Sequence, residues 1–146
     1  MSLLGTLNGL VHVTRSIKEK EHKNIVMSNS GEILRSFYAA AAKKDIATAR
    51  TFLSDDLVFV GLFETYPNAD KYIEAFTGLL QVTVRITVKT IISEGDQAAV
   101  FFELETKAPV EAITLVAEWH QFKNGKICHV ESAFDGRPFA AMFAGR

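Results

Sequence analysis

The sequence has few of the residues that would tie it to a metal, a disulfide framework or a nucleic acid. Its one cysteine, Cys128, cannot form an internal disulfide and has no second thiolate with which to hold a metal. A lone cysteine suits a reducing cytoplasm, and we expect Cys128 to be a small buried hydrophobe. Basic and acidic residues number 16 and 17, and no basic cluster is interleaved with aromatics, so nucleic acid is not an expected partner.

Long apolar runs are absent as well. The stretch over residues 3–13 is apolar, but it is broken by glycine and asparagine, lacks a basic start and is too short to span a bilayer. A membrane is therefore not an expected partner. We interpret residues 1–27 as an appendage, either a cloning remnant or an extra strand over residues 10–14. Residues 28–146 suffice for a single domain with a substantial core.

Hydrophobic periodicity predicts helices in the first half of the domain. Asn29 is a candidate cap for a first helix that ends near Lys44, and Asp45 can cap a second, shorter helix closed by residues 54–56. Asn68 can cap a third helix, whose apolar residues recur at helical spacing.

Strands dominate the second half. Residues 57–63 predict a strand between the second and third helices, in which Gly61 marks a bulge or a close backbone approach. From residue 82 onward apolar and polar residues alternate, and four successive antiparallel strands follow. The fold class predicted is α+β, with three N-terminal helices packed on a strongly curved, mostly antiparallel sheet.

The last two strands form a hairpin over residues 113–134. Asn124 and Gly125 separate two runs rich in β-branched and aromatic residues, and both tolerate the positive φ that a tight turn demands. Two registers are compatible with this turn, and a shift of one residue exchanges the faces of the sheet. A two-residue loop would place on one face Glu118, His120, His129 and Glu131.

We favour a three-residue loop of residues 123–125, with Gly125 forming a bulge. This register aligns Glu118, His120 and Phe122 with Cys128, Val130, Ser132 and Phe134. The resulting face is mostly apolar with a few polar groups, as in a ligand pocket.

Several segments resemble one known family. The stretch FYAAAAKKDIATARTFLSDDLVFVG, followed much later by EWHQFKNGKI and ESAFD, resembles the SnoaL-like branch of the nuclear-transport-factor-2-like superfamily over about residues 29–137. The resemblance implies a cone with an apolar pocket that opens at one end, commonly in a homodimer. It leaves the activity open, because the fold hosts isomerases, dehydratases, cyclases, epoxide hydrolases and binding modules.

Known catalytic positions of this superfamily are only partly matched. The tyrosine, the aspartate base and the protonated aspartate of its ketosteroid isomerases would correspond to Phe37, Gly61 and Glu118. The acid of its polyketide cyclases would correspond to Ser132. Neither activity can be transferred to this chain from the resemblance.

Glu118 and His120 are the candidate catalytic residues. Two apart on one strand, they share a face, and a carboxyl beside an imidazole in an apolar pocket is a workable proton-transfer pair. We expect an isomerase, dehydratase or hydrolase reaction without a cofactor, in which His120 is the base and Glu118 orients it or acts as acid. The alternative is that the two residues only satisfy one another, in a non-catalytic ligand-binding or dimerisation module.

The pocket is predicted to hold a small hydrophobic molecule. Its expected ligand-binding residues are Phe37, Tyr38, Phe59, Tyr66, Phe76, Val100, Phe102, Leu104, Phe122, Val130, Ser132 and Phe134. This face supplies no lysine or arginine, which disfavours phosphorylated ligands and favours a neutral or singly charged, partly aromatic or alicyclic molecule. Arg137, at the rim, is the one group expected to meet a carboxylate.

Two further hypotheses concern a metal and a partner. In the two-residue register Glu118, His120, His129 and Glu131 would form a set that binds a divalent ion, although ordinary cross-strand pairs give the same pattern, and no metal is expected. Phe101 and Trp119 fall on the face opposite the pocket. An exposed apolar patch of this kind predicts a homodimer built on the outer face of the sheet.

Overall fold

The computed structural model describes residues 29–145. The predicted appendage, with the strand expected over residues 10–14, lies outside the described residues. The elements follow one another as α1 (Ser30–Ala42), α2 (Ile46–Thr51), β1 (Leu53–Val60), β2 (Thr65–Tyr66), α3 (Ala69–Val82), β3 (Thr83–Glu94), β4 (Gln97–Thr106), β5 (Ala112–Lys123), β6 (Lys126–Phe134), a 3-10 turn (Arg137–Phe139) and α4 (Ala140–Phe143). None of the helices in this part of the chain is long and apolar enough to cross a membrane.

Two of the helices begin at the caps that the sequence predicts. The Asp45 side chain accepts a hydrogen bond from the backbone N–H of Thr48 at 3.1 Å, and Asn68 caps α3 through the N–H of Lys71 at 2.9 Å. Such caps satisfy backbone donors that have no partner within the helix. Asn29 precedes α1 but its side chain makes no capping hydrogen bond.

The sheet has six strands in the order β2-β1-β6-β5-β4-β3. Strands β3 to β6 pair antiparallel in succession, and only β1 runs parallel to its neighbour β6. This confirms the predicted α+β cone, in which helices close one side of a curved sheet. Its largest fully buried apolar side chains are Leu34, Phe37, Leu53, Leu57, Val100, Ile127 and Val130. Burying each such side chain contributes about 1.5–3 kcal/mol.

Strand β1 begins earlier than the sequence predicts. It starts at Leu53 because this residue pairs with Ile127 of β6, whose backbone N–H donates to the carbonyl of Phe52 at 2.9 Å. The strand also ends earlier, just before Gly61. A Cβ at Gly61 would lie 2.7 Å from the ring of Phe59, so the glycine permits the close approach that was predicted there.

The hairpin turn differs from the favoured prediction. Asn124 and Gly125 both have positive φ, at 52° and 73°, and Lys123 pairs with Lys126. The loop therefore has two residues, and the three-residue loop is wrong. The twist of a turn with two positive φ angles matches that of the strands it joins.

On the inner face, His120 and Glu118 are paired as in the favoured register, but near the turn the buried residue is Ile127 and not Cys128 as predicted. Between the pair Phe122 with Ile127 and the pair Gln121 with His129, strand β6 carries one extra residue, Cys128. This bulge restores the alignment, so that His120 lies opposite Val130 and Glu118 opposite Ser132. Cys128 itself is half-buried rather than a fully buried hydrophobe.

Candidate functional site

The curved sheet, α3 and the C-terminal segment enclose a cavity of about 550 Å³. This volume is typical of small-molecule sites. Aromatic rings make up much of its lining: Tyr38, Phe59, Tyr66, Tyr72, Phe76, Phe102, Phe134, Phe139 and Phe143. The rings of Phe59 and Tyr72 stack at 5.0 Å between centroids, and those of Tyr72 and Phe76 at 5.6 Å, which makes one wall rigid.

Most of the predicted site residues line this cavity. They are Tyr38, Phe59, Tyr66, Phe76, Phe102, Leu104, Glu118, Ser132 and Phe134. Five others do not line it and belong to the buried interior: Phe37, Val100, His120, Phe122 and Val130.

The reason for this division is the position of α1. The Ser30 hydroxyl at its start donates to the carbonyl of Gly95 at 3.1 Å, at the turn between β3 and β4. The backbone N–H of Phe122 donates to the carbonyl of Asp96 beside it, so the end of β5 lies next to this turn. Helix α1 therefore covers that end of the inner face, and side chains there pack into the core instead of reaching the cavity.

Glu118 is the centre of a buried polar cluster. One carboxylate oxygen, Oε2, accepts the hydroxyl of Tyr38 at 2.6 Å and lies 3.1 Å from Nε2 of His120. The other, Oε1, accepts the hydroxyl of Ser132 at 3.2 Å. Glu118 is 9% exposed and His120 is 0% exposed. A carboxylate with these three partners is fixed in position at the wall of an apolar cavity.

Burial also determines the protonation of the phenols. Burial, followed by the charge of Glu118, raises the pKa of Tyr38 well above its ordinary value of 10.0. The same two causes, again with burial first, raise the pKa of Tyr72 well above that value. Both phenols therefore keep their protons at neutral pH, since burial disfavours the charged form.

Glu118 and His120 differ in their position relative to the cavity. His120 is completely buried and is not among the residues that line the cavity. Glu118, in contrast, lines the cavity, and the catalytic roles expected for the two residues stay predictions. The imidazole lies behind the carboxylate and holds it.

Sequence reasoning missed several residues of the cavity. Tyr72 belongs to the apolar stripe of α3, a pattern that by itself indicates core packing. Lys107 lines the cavity although no lysine was expected there. The C-terminal residues Phe139, Met142 and Phe143 also contribute, and the ring of Phe143 stacks on that of Phe63 with centroids 4.4 Å apart. The aromatic residues near the C-terminus were the feature of the sequence from which this contribution to the cavity could have been predicted.

Arg137 does not line the cavity. Its guanidinium forms an exposed ion pair with Asp135 at 2.6 Å. The side-chain and backbone hydrogen bonds from Arg137 lower the pKa of Asp135 from 3.8 to about 2. The expectation that Arg137 meets a ligand carboxylate at the rim stays a prediction.

The second histidine–glutamate pair of the hairpin lies on the outer face. Nε2 of His129 is 3.0 Å from Oε1 of Glu131. Because the bulge at Cys128 turns this pair away from Glu118 and His120, the four side chains do not converge as the metal hypothesis required. Within residues 29–145, no group of three or more histidine, cysteine, aspartate or glutamate side chains is arranged to hold a metal ion.

Comparisons with known proteins agree with this architecture. The family model of the SnoaL-like domain matches residues 34–130. No curated protein sequence matches the chain significantly. A solved structure from Kribbella flavida is 18% identical with a TM-score of 0.72, and the alignment covers 78% of this chain and 93% of that protein.

Two further solved structures share the fold. An NTF2-like protein of unknown function from Cytophaga hutchinsonii is 15% identical with a TM-score of 0.66, over 74% of this chain and 91% of that one. An LEH-like epoxide hydrolase from M. tuberculosis is 16% identical with a TM-score of 0.66, over 80% of this chain and 90% of that one. At these identities the likeness concerns the fold alone.

Proposed function

The chain belongs to the SnoaL-like domain family, and we propose that it binds a small hydrophobic molecule in its cavity and exchanges a proton with that molecule without a cofactor. The reaction would be of the isomerase, dehydratase or hydrolase type. The observation that supports this proposal is Glu118, a buried carboxylate that lines an aromatic cavity and is held by three side chains. Proton transfer by a positioned carboxyl group needs this combination of burial and fixed geometry.

In this proposal Glu118 is the group that takes or returns the proton. Tyr38 and Ser132 orient it through hydrogen bonds from the cavity side, and His120 holds it from the core side. Because the surrounding side chains are largely apolar, electrostatic interactions at the carboxylate are stronger than they would be in water.

A non-catalytic binding module is the second candidate. The positions that would correspond to the tyrosine and the aspartate base of ketosteroid isomerases hold Phe37 and Gly61. Phe37 is buried in the core and Gly61 has no side chain, so neither can supply proton chemistry. On this alternative the cavity only stores or senses its ligand.

The two candidates can be separated with Glu118→Gln, which keeps the size of the side chain but removes its basicity. We expect the wild-type protein to catalyse deuterium exchange into, or turnover of, a member of a panel of small hydrophobic amines, ketones and epoxides, followed by NMR. Glu118→Gln should abolish this catalysis while a folded protein remains. Glu131→Gln, on the outer face, is the matched control and should keep it. Ligand-induced thermal stabilisation without any turnover would favour the binding module.

We also propose that the protein is a homodimer of the cytoplasm that pairs through the outer face of the sheet. Phe101 and Trp119 are 36% and 37% exposed there, beside Ile92 and Leu115. Light scattering at micromolar concentration should give the mass of two chains, and Trp119→Glu should reduce it to one. A monomeric wild-type mass would contradict the dimer.

A further inference from the structure

We propose that the cavity selects ligands which present a hydrogen-bond donor to Glu118, with a protonated apolar amine as the preferred class. This inference rests on the proposal that the cavity binds a small molecule, and it deepens that proposal by naming the ligand. The hydrogen-bond donors and acceptors around the carboxylate determine which chemical group a ligand must present to it.

The surroundings of His120 determine which of its ring nitrogens carries the proton. Its Nδ1 is buried and has no hydrogen-bond partner among residues 29–145. A proton at Nδ1 would be a buried N–H without an acceptor, which is rarer and costlier than an unfilled acceptor. The proton therefore belongs on Nε2, from which it donates to Oε2 of Glu118 at 3.1 Å. With a single ring proton His120 is neutral, and its one N–H group already donates to Glu118.

Tyr38 and Ser132 also direct their hydroxyl groups at Glu118. Tyr38 keeps its proton, and its hydroxyl is 2.6 Å from Oε2 of Glu118. The Ser132 hydroxyl is 3.2 Å from Oε1. These two protons and that of His120 are all directed at the carboxylate of Glu118, which accepts three hydrogen bonds. What this cluster still offers a ligand is the lone pairs of the carboxylate, chiefly those of Oε1, for which Ser132 is the one hydrogen-bond partner among residues 29–145.

A carbonyl oxygen finds no spare donor in this cluster. Tyr72, which also lines the cavity, carries a hydroxyl donor outside this cluster. Its ring is held between those of Phe59 and Phe76. Tyr72 is therefore one residue through which a ketone can bind without a donor from the cluster around Glu118.

The charges of the cavity lining also bear on the choice of ligand. The charged residues that line the cavity are Glu64, Lys107 and Glu118, and of these Glu118 is the buried one while Lys107 is exposed. An anion beside a buried carboxylate would be repelled, whereas an ammonium forms a charge-assisted hydrogen bond with it. Aromatic rings attract an ammonium as well. The apolar body of an amine suits the remaining walls.

Four probes with the same aromatic body test this inference: benzylamine, benzyl alcohol, acetophenone and benzoate. Binding is measured by calorimetry and ligand-observed NMR at neutral pH, where benzylamine is protonated. We expect benzylamine to bind at least about tenfold more tightly than acetophenone or benzoate, with benzyl alcohol between them. Glu118→Gln should erase the preference for the amine, and Glu131→Gln should keep it.

The outcomes separate this inference from the proposed function. Tightest binding of acetophenone, lost in Tyr72→Phe, would overturn the donor count while leaving a ligand site in the cavity. Tightest binding of benzoate would overturn the charge argument in the same way. Binding of none of the four probes would overturn both the ligand site and the inference.

A measurement on the unaltered protein guards against a Glu118→Gln variant that does not fold. Nitrogen-15 NMR of His120 should show a protonated Nε2 and an unprotonated Nδ1. A protonated Nδ1 would overturn the donor count.

Discussion

Two histidine–glutamate pairs of the same spacing lie on neighbouring strands, one on each face of the sheet. The inner pair, Glu118 and His120, has a separation of 3.1 Å, and the outer pair, His129 and Glu131, one of 3.0 Å. Their side chains differ in exposure: 9% and 0% for the inner pair against 53% for Glu131 and 25% for His129. The contact is therefore the same, and what differs is the surroundings.

The difference shows why a pair motif alone does not identify a site. The inner carboxylate also accepts hydrogen bonds from Tyr38 and Ser132 and lines a cavity. The outer pair packs beside Trp119, 6.0 Å from the ring of His129, on an open face. An exposed pair is screened by water and contributes little, whereas a buried pair is costly to break.

The largest expected effect comes from breaking the inner pair. His120→Ala removes a fully buried ring and leaves Glu118 without one of its donors, so the free energy of unfolding should fall by about 3 kcal/mol or more. His129→Ala, the matched change on the outer face, should cost less than about 1 kcal/mol. Urea denaturation of the two variants measures both values. Equal losses would mean that burial does not distinguish the pairs.

A milder change compares the two carboxylates. Glu118→Gln keeps the shape but turns one acceptor into a donor that faces Tyr38, His120 or Ser132, so about 1–3 kcal/mol of stability should be lost. Glu131→Gln should change stability by no more than about 0.5 kcal/mol. Thermal denaturation at neutral pH provides the test. A Glu131→Gln variant that is as unstable as Glu118→Gln would contradict the assignment of the faces.

The sequence predicted what depends on local chemistry. Asp45 and Asn68 cap their helices, and Asn124 with Gly125 forms the turn, because each of these features is decided within a few residues. The bulge at Cys128 is different. It depends on the pairing of β6 with both of its neighbours, which no local pattern in the sequence reveals.

The site was predictable only in part for a related reason. Alternation along β5 indicated that Glu118 and His120 share a face, but not that α1 covers the end of the sheet where His120 lies. Tyr72 has the spacing of a core residue in α3, and only the curvature of the sheet opens a cavity beside it. Long-range packing therefore determines which residues of one face line the cavity.

The dependence of stability on alkaline pH also distinguishes the two pairs, because the inner pair is in contact with the phenol of Tyr38. The pKa of Tyr38 is raised in the folded protein above its ordinary value of 10.0. A raised pKa adds stability that is fully present below pH 10 and is lost as the pH rises through the folded value, because only the unfolded chain ionises in that window. Stability should thus fall above pH 10, by at most about 1.4 kcal/mol per pH unit for each such phenol.

The measurement is urea denaturation at a series of pH values above 9. In Tyr38→Phe the fall should be shallower than in the wild type, and in Tyr38→Phe/Tyr72→Phe shallower again, because the pKa of Tyr72 is raised for the same reason. An unchanged slope in both variants would show that these phenols ionise as readily in the folded state as in the unfolded one.

The smallest effect on stability is expected at Asp135, an exposed carboxylate that pairs with Arg137. Arg137 lowers the pKa of Asp135 to about 2. A lowered pKa adds stability that is present above the ordinary value of 3.8 and is lost as the pH falls towards 2, so nothing changes near neutrality. Arg137→Ala should return the pKa of Asp135 towards 3.8, as followed by carbon-13 NMR, and lower the melting temperature at pH 7 only slightly, because water screens this exposed pair. A clear loss of stability at pH 7 would show that this exposed pair, unlike the outer pair of the hairpin, holds the C-terminal segment over the cavity.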